Sequence, residues 1–124
     1  MKKVILFFFI ISSVAFGQLN ITKYLTDADS ILNFTCQQEW IEITVVDSAN
    51  ADTVWFEVPS ITTGYYIPVT VRDLTSSAYV TSMIPGTGLA GKKYQVWAFW
   101  IRGGRLRMSD VNTPGVKVRV EGKP

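Results

Sequence analysis

Histidine is missing from all 124 residues, and cysteine occurs once, at Cys36. Without histidine there is no Ser–His or Cys–His nucleophile pair and no common zinc set. There is also no side chain whose ordinary pKa suits general-base work near neutral pH. A single cysteine excludes an internal disulfide, leaving a buried inert thiol or a bridge to another molecule. Low-complexity tracts, internal repeats and Pro- or Ser-rich linkers are lacking too, so one domain is expected over residues 18–124. No glycine-rich phosphate loop stands between a strand and a helix. These absences argue against an enzyme and against any cofactor.

A long hydrophobic run is present at the N-terminus. Lys2 and Lys3 precede thirteen apolar and small residues, Val4 to Phe16, and Ala15-Phe16-Gly17 offers the small residues that a signal peptidase inspects. The run is shorter than the roughly 20 apolar residues that span a membrane. Residues 1–17 are therefore expected to be an export signal, cut before Gln18. The other readings are a retained hydrophobic anchor and a packed N-terminal helix. The signal has a bacterial look and implies secretion, the cell surface or the periplasm, with the membrane involved only in export or if the segment is kept.

Without that segment the chain carries ten basic and ten acidic side chains. The sequence pI of about 8.8 thus comes largely from the signal and is no sign of a nucleic-acid partner. The charges are segregated. Residues 18–91 hold two basic and eight acidic side chains, net −6, and residues 92–124 the reverse, net +6. Either late strands pair beside early ones and cancel locally, or opposite faces of neighbouring copies attract head to tail.

Short runs of alternating apolar and polar residues, parted by turn-formers and without a helical period, predict an all-β antiparallel sandwich. Trp40–Val46 and Thr53–Val58 read as a hairpin around Asp47–Asp52. Pairing Val46 with Thr53 sets Val45 against Val54, Ile43 against Phe56 and Ile41 against Val58, a fully apolar face. Tyr65–Arg72 follows, with Tyr65, Ile67, Val69 and Val71 on one side. Pro68 on the other side makes it an edge or bulged strand. Tyr94–Arg102 and Arg105–Met108 read as a second hairpin turning at Gly103-Gly104. Ser76–Met83 and Ser30–Cys36 are shorter strand candidates, and Val116, Val118 and Val120 mark a half-buried last strand.

The stretch Leu89-Ala-Gly-Lys-Lys-Tyr94-Gln-Val96-Trp-Ala98, with Pro114-Gly-Val-Lys-Val-Arg-Val120 after it, resembles the fibronectin type III pattern over residues 82–121. The resemblance implies a single immunoglobulin-like or fibronectin type III-like sandwich after the signal segment. It also implies a tyrosine corner, in which the Tyr94 hydroxyl bonds back to the preceding loop. Tyr94, Val96 and Ala98 would face inward, and the role would be adhesive or structural.

Candidates for chemistry are few. The proposed register brings Glu42 opposite Glu57, the spacing sense of a paired-carboxylate site, although like charges across a ladder are commonly a tolerated surface pair. Asp47-Ser-Ala-Asn-Ala-Asp52 offers oxygen ligands for calcium but lacks the glycine and closing glutamate of the regular calcium loop. Aromatic residues say more. Tyr94–Ile101 is apolar on both faces, whereas a sandwich strand buries one. Either Trp97 and Phe99 point outward, or Trp100 lies outside beside Arg107 as a cation–π pair. Trp40 and Trp55 add to this surplus. The six side chains Trp97, Phe99, Trp100, Arg107, Trp40 and Trp55 are the expected interface or ligand residues. The function expected is a non-enzymatic exported structural or adhesive subunit, contacting copies of itself or another protein in a surface assembly, filament or virion-like coat. The alternative is a secreted carbohydrate-binding module with a tryptophan platform.

Overall fold

Alternation of apolar and polar residues becomes strand after strand. A computed structural model describes residues 18–47, 53–86, 91–98, 103–109 and 115–124. Its strands are β1 (Asn20–Leu25), β2 (Ile31–Thr35), β3 (Trp40–Asp47), β4 (Val54–Pro59) and β5 (Tyr66–Pro68), followed by β6 (Val71–Asp73), β7 (Tyr79–Val80), β8 (Lys92–Trp97), β9 (Gly103–Met108) and β10 (Val116–Lys123). The described residues contain no helix. The strands form a six-stranded sheet, β1-β10-β3-β8-β6-β7, and a four-stranded sheet, β2-β9-β4-β5. Every ladder between them is antiparallel.

One core lies between the sheets. The larger sheet contributes Ile41, Ile43, Val45, Tyr94, Val96 and the inward valines of β10, and the smaller contributes Leu32, Phe34, Val54, Phe56, Leu106 and Met108. Phe34 and Phe56 stack at its centre, ring centroids 5.7 Å apart. The expected last strand is present as β10, with Val116, Val118 and Val120 buried and Lys117 and Arg119 exposed.

Both expected hairpins are overturned. β3 lies in the six-stranded sheet between β10 and β8, while β4 lies in the four-stranded sheet between β9 and β5. The apolar residues assigned to the first hairpin do point inward, but from opposite layers, and Val58 is only half-buried. An apolar face identifies the buried side of a strand, not its partner. β3 ends at Asp47 in one sheet and β4 begins at Val54 in the other, and packed sheets lie only roughly 10 Å apart.

The same separation parts β8 from β9. Gly103 and Gly104 are not a turn: they open β9, opposite Thr35 and Phe34 of β2. Close approach explains them. Gly103 has φ +146°, and a Cβ on Gly104 would collide with the Glu57 carbonyl and press on the Phe56 ring. Tyr65–Arg72 is likewise two strands, β5 at the edge of one sheet and β6 in the other. Pro68 sits on that edge, where no ladder bond is asked of it.

Tyr94 is fully buried, and its hydroxyl donates to the Ile84 carbonyl at 3.0 Å while accepting from the Ile84 amide at 3.1 Å. This is the back-bond that the resemblance implied. Segregated charges meet in part inside the domain. Lys92 pairs with Asp73 (3.0 Å), Lys93 with Glu42 (3.6 Å), and Arg105 and Arg107 with Glu57 (2.9 and 3.1 Å). Each joins the basic C-terminal part to the acidic part before it.

Candidate functional site

Inward placement of Tyr94 and Val96 forces Gln95 and Trp97 onto the outer face of the six-stranded sheet. Trp97 lies directly across from Trp40 of β3, with ring centroids 6.1 Å apart and planes tilted by 30°. Nearly half of Trp97 is exposed, at 46%. Gln95 is flanked by Glu42 on β3 and Arg72 on β6, and Arg72 stands opposite Tyr79 of β7. Trp40, Trp97, Tyr79, Arg72 and Gln95 thus border one groove of about 280 Å³. The carboxylate of Glu42 is held by Lys93. Arg72 and Tyr79 were not foreseen as site residues.

The opposite outer face, on the four-stranded sheet, holds a closed charge cluster. Glu57 is buried, and its carboxylate accepts from Arg105 Nε at 2.9 Å and from Arg107 Nε at 3.1 Å. Arg105 lies 3.8 Å above the Tyr66 ring and Arg107 4.4 Å above the Trp55 ring. Alternation places all five on one side, with Trp55 against Arg107 and Glu57 against Arg105. Both guanidinium groups are used within the cluster, so it braces the sheet and leaves no cation for a ligand. The ring partner of Arg107 is Trp55; Trp100 and Phe99 lie outside the described residues. Glu42 and Glu57 occupy different sheets, which overturns their pairing as a carboxylate site.

A third feature is the β4–β5 turn. Ser60 donates to Tyr65 across it at 2.7 Å, and Gly64 donates to Ser60 at 2.9 Å with φ +74°. It exposes Ile61 completely, Tyr65 by 77% and Ile67 by 48%. In sequence Tyr65 and Ile67 look like part of one stripe with Val69 and Val71. The stripe is split where the chain changes sheets, and its first half faces solvent.

No family model matches this chain, and no curated protein matches it. Among solved structures, it superposes on that of a protein named SPBc2 prophage-derived protein YomS. The TM-score is 0.65 at 9% identity, covering 86% of this chain and 94% of the other. The likeness is one of fold. At that identity it carries neither residues nor activity from one protein to the other.

Two remaining groups are structural. Cys36 is buried, and burial pushes its thiol pKa up, which keeps the reactive thiolate scarce. Most of the calcium-loop candidate, residues 48–52, lies outside the described residues. Asp73 is buried beneath the turn after β6. Burial pushes its carboxyl pKa up, but the Lys92 ammonium at 3.0 Å and the Thr75 and Ser76 amides outweigh this and hold it below the usual value. Asp73 in turn raises the Lys92 pKa, against the opposing effect of burial. A depressed carboxyl contributes stability that is present above its unfolded pKa and lost as pH falls through the folded one. A raised lysine contributes below its unfolded pKa and loses that as pH rises through its folded value. The pair should therefore stabilise from mildly acidic to mildly alkaline pH. Asp73→Asn is expected to cost roughly 1–2 kcal/mol at neutral pH, with the gap to wild type closing in strong acid. Urea melts across pH check this, and a gap independent of pH would count against the ion pair.

Proposed function

We propose that the protein is a non-enzymatic exported subunit that acts through surface contact in a cell-surface or virion-like assembly. The observation carrying this reading is the β4–β5 turn, which holds Ile61, Tyr65 and Ile67 in solvent on a short two-stranded support. Exposed apolar groups grouped together mark contact surfaces more often than isolated ones do. Export, with removal of residues 1–17, is part of the proposal. The likeness to a prophage-derived fold supports a virion-like setting, and the Tyr94 back-bond supports a fibronectin-like kinship. Since Lys92, Lys93, Arg105 and Arg107 of the basic part are already paired with acidic residues of the same domain, an apolar contact is favoured over a head-to-tail electrostatic one. Light scattering on the exported protein should give a mass above the monomer, changing little with salt, and Ile61→Ser with Tyr65→Ser should return it to monomer while folded. A wild-type protein that is monomeric at every concentration and salt level would end this reading.

A second reading, the carbohydrate-binding module, is favoured by one specific observation. Trp40 and Trp97 form a paired aromatic surface beside a groove.

A further inference from the structure

The groove on the outer face of the six-stranded sheet has a charge that no described carboxylate or ring engages. Among the described residues, the other lysines and arginines are each engaged. Lys23, Lys92, Lys93, Arg105, Arg107, Arg119 and Lys123 are in ion pairs, and Lys117 lies over the Tyr24 ring. Arg72 has neither a carboxylate nor a ring partner among them, and it lines the groove beside Gln95 and Tyr79. An unengaged guanidinium at the wall of an aromatic groove calls for a planar anion.

We propose that this groove binds an acidic saccharide, with the sugar ring against Trp40 and Trp97 and its carboxylate on Arg72. The inference rests on the tryptophan-platform reading and adds the charge of the ligand. Aromatic faces carry partial negative charge, which suits the weakly positive C–H face of a sugar ring; an amide and a phenol are at hand for its hydroxyls. Volume limits the occupant. About 280 Å³ lies just under the range of roughly 300–1,000 Å³ that holds drug-sized ligands, so one ring is seated and any further chain lies outside. The acidic neighbours on this face are both paired, Glu42 with Lys93 at 3.6 Å and Glu121 with Arg119 and Lys123 at 3.0 and 3.3 Å, and do not oppose an incoming anion.

An array of neutral, uronate-bearing and sialate-bearing glycans, probed with the purified exported protein, tests the proposal first. The bound set should be acidic. Tryptophan fluorescence titrations with oligogalacturonate and with its methyl ester then separate charge from shape. Arg72→Gln should weaken the acid by roughly tenfold or more while leaving the ester within about twofold. Trp97→Ala should abolish binding of both. Arg72 is exposed, so Arg72→Gln should keep the wild-type melting temperature; Trp97→Ala loses the packing on Trp40 and should melt lower but still as one cooperative, folded domain, and Ile61→Ser should bind as wild type does.

Binding of neutral glycans alone, or an Arg72→Gln variant with wild-type affinity for the acid, would overturn the anionic ligand while the platform reading stands. An array with no bound glycan would overturn both. Equal affinity for an oligoglutamate peptide would show the site to be a charge sensor for protein, against the saccharide.

Discussion

Phe56→Ala should destabilise the domain by about 3–5 kcal/mol, the range for removing a buried aromatic ring. Phe56 is fully buried, stacks on Phe34 across the smaller sheet, and fills the space that a side chain at position 104 would need. Deleting the ring removes the Phe34 stack and leaves a gap beside Gly104, between strands β2, β4 and β9 that are tied together by their ladders. A domain of this size has only about 5–15 kcal/mol to lose. The thermal midpoint should fall on the order of 12–25 °C. Thr44→Ala is the control, since Thr44 points outward between Arg119 and Lys93 and should shift the midpoint little. Calorimetry on both variants decides it. A Phe56→Ala midpoint close to wild type would mean that the centre of the sandwich lies elsewhere.

This prediction survives the loss of the hairpin that first suggested it, and the reason is physical. Side-chain alternation along Ile41-x-Ile43-x-Val45 and Val54-x-Phe56 reports which side of a strand is dry. It carries no information on whether the dry side faces a neighbour in the ladder or a strand in the other layer. Consequently, the buried faces of β3, β4 and β10 were legible and their partners were not, while β8, apolar on both faces in sequence, left its buried side open. β1 went unread because Lys23 occupies an inward register. Lys23 is accommodated there by Asp29 and the Ile31 carbonyl, each at 2.9 Å. A lysine in that register breaks the apolar pattern that would announce a strand.

The candidate site was legible in its aromatic half. Trp40 and Trp55 had no place on a buried face and Trp97 stood on one of two apolar faces of its strand; the structure puts Trp97 and Trp40 side by side. Its polar half was hidden by topology. Arg72 reaches the groove only because the chain leaves the smaller sheet after Pro68 and joins the larger one at β6. A continuous Tyr65–Arg72 strand would have kept it far from both tryptophans. The apolar β4–β5 turn was masked in the same way, by a stripe that looked continuous.

Glu57→Ala should be the next most damaging change, at about 2–3 kcal/mol, for electrostatic rather than packing reasons. The Glu57 side chain is 5% exposed and sits between two guanidinium groups that are 22% and 35% exposed. Removing it leaves two adjacent cations held over Tyr66 and Trp55 with no counter-charge. A fully buried pair loses about 3–5 kcal/mol when one member goes; here partial exposure lets water recover part of that. Arg107→Ala should cost less, because Glu57 keeps Arg105 as a partner at 2.9 Å. The decisive readout is salt. Repulsion between the two partly hydrated arginines is screened as ionic strength rises, so the deficit of Glu57→Ala should shrink in urea melts at high salt. The deficit of Phe56→Ala, which is apolar, should not shrink in parallel. A Glu57→Ala variant as stable as wild type, or one whose deficit ignores salt, would show that the cluster is a surface ornament and not a brace of the four-stranded sheet.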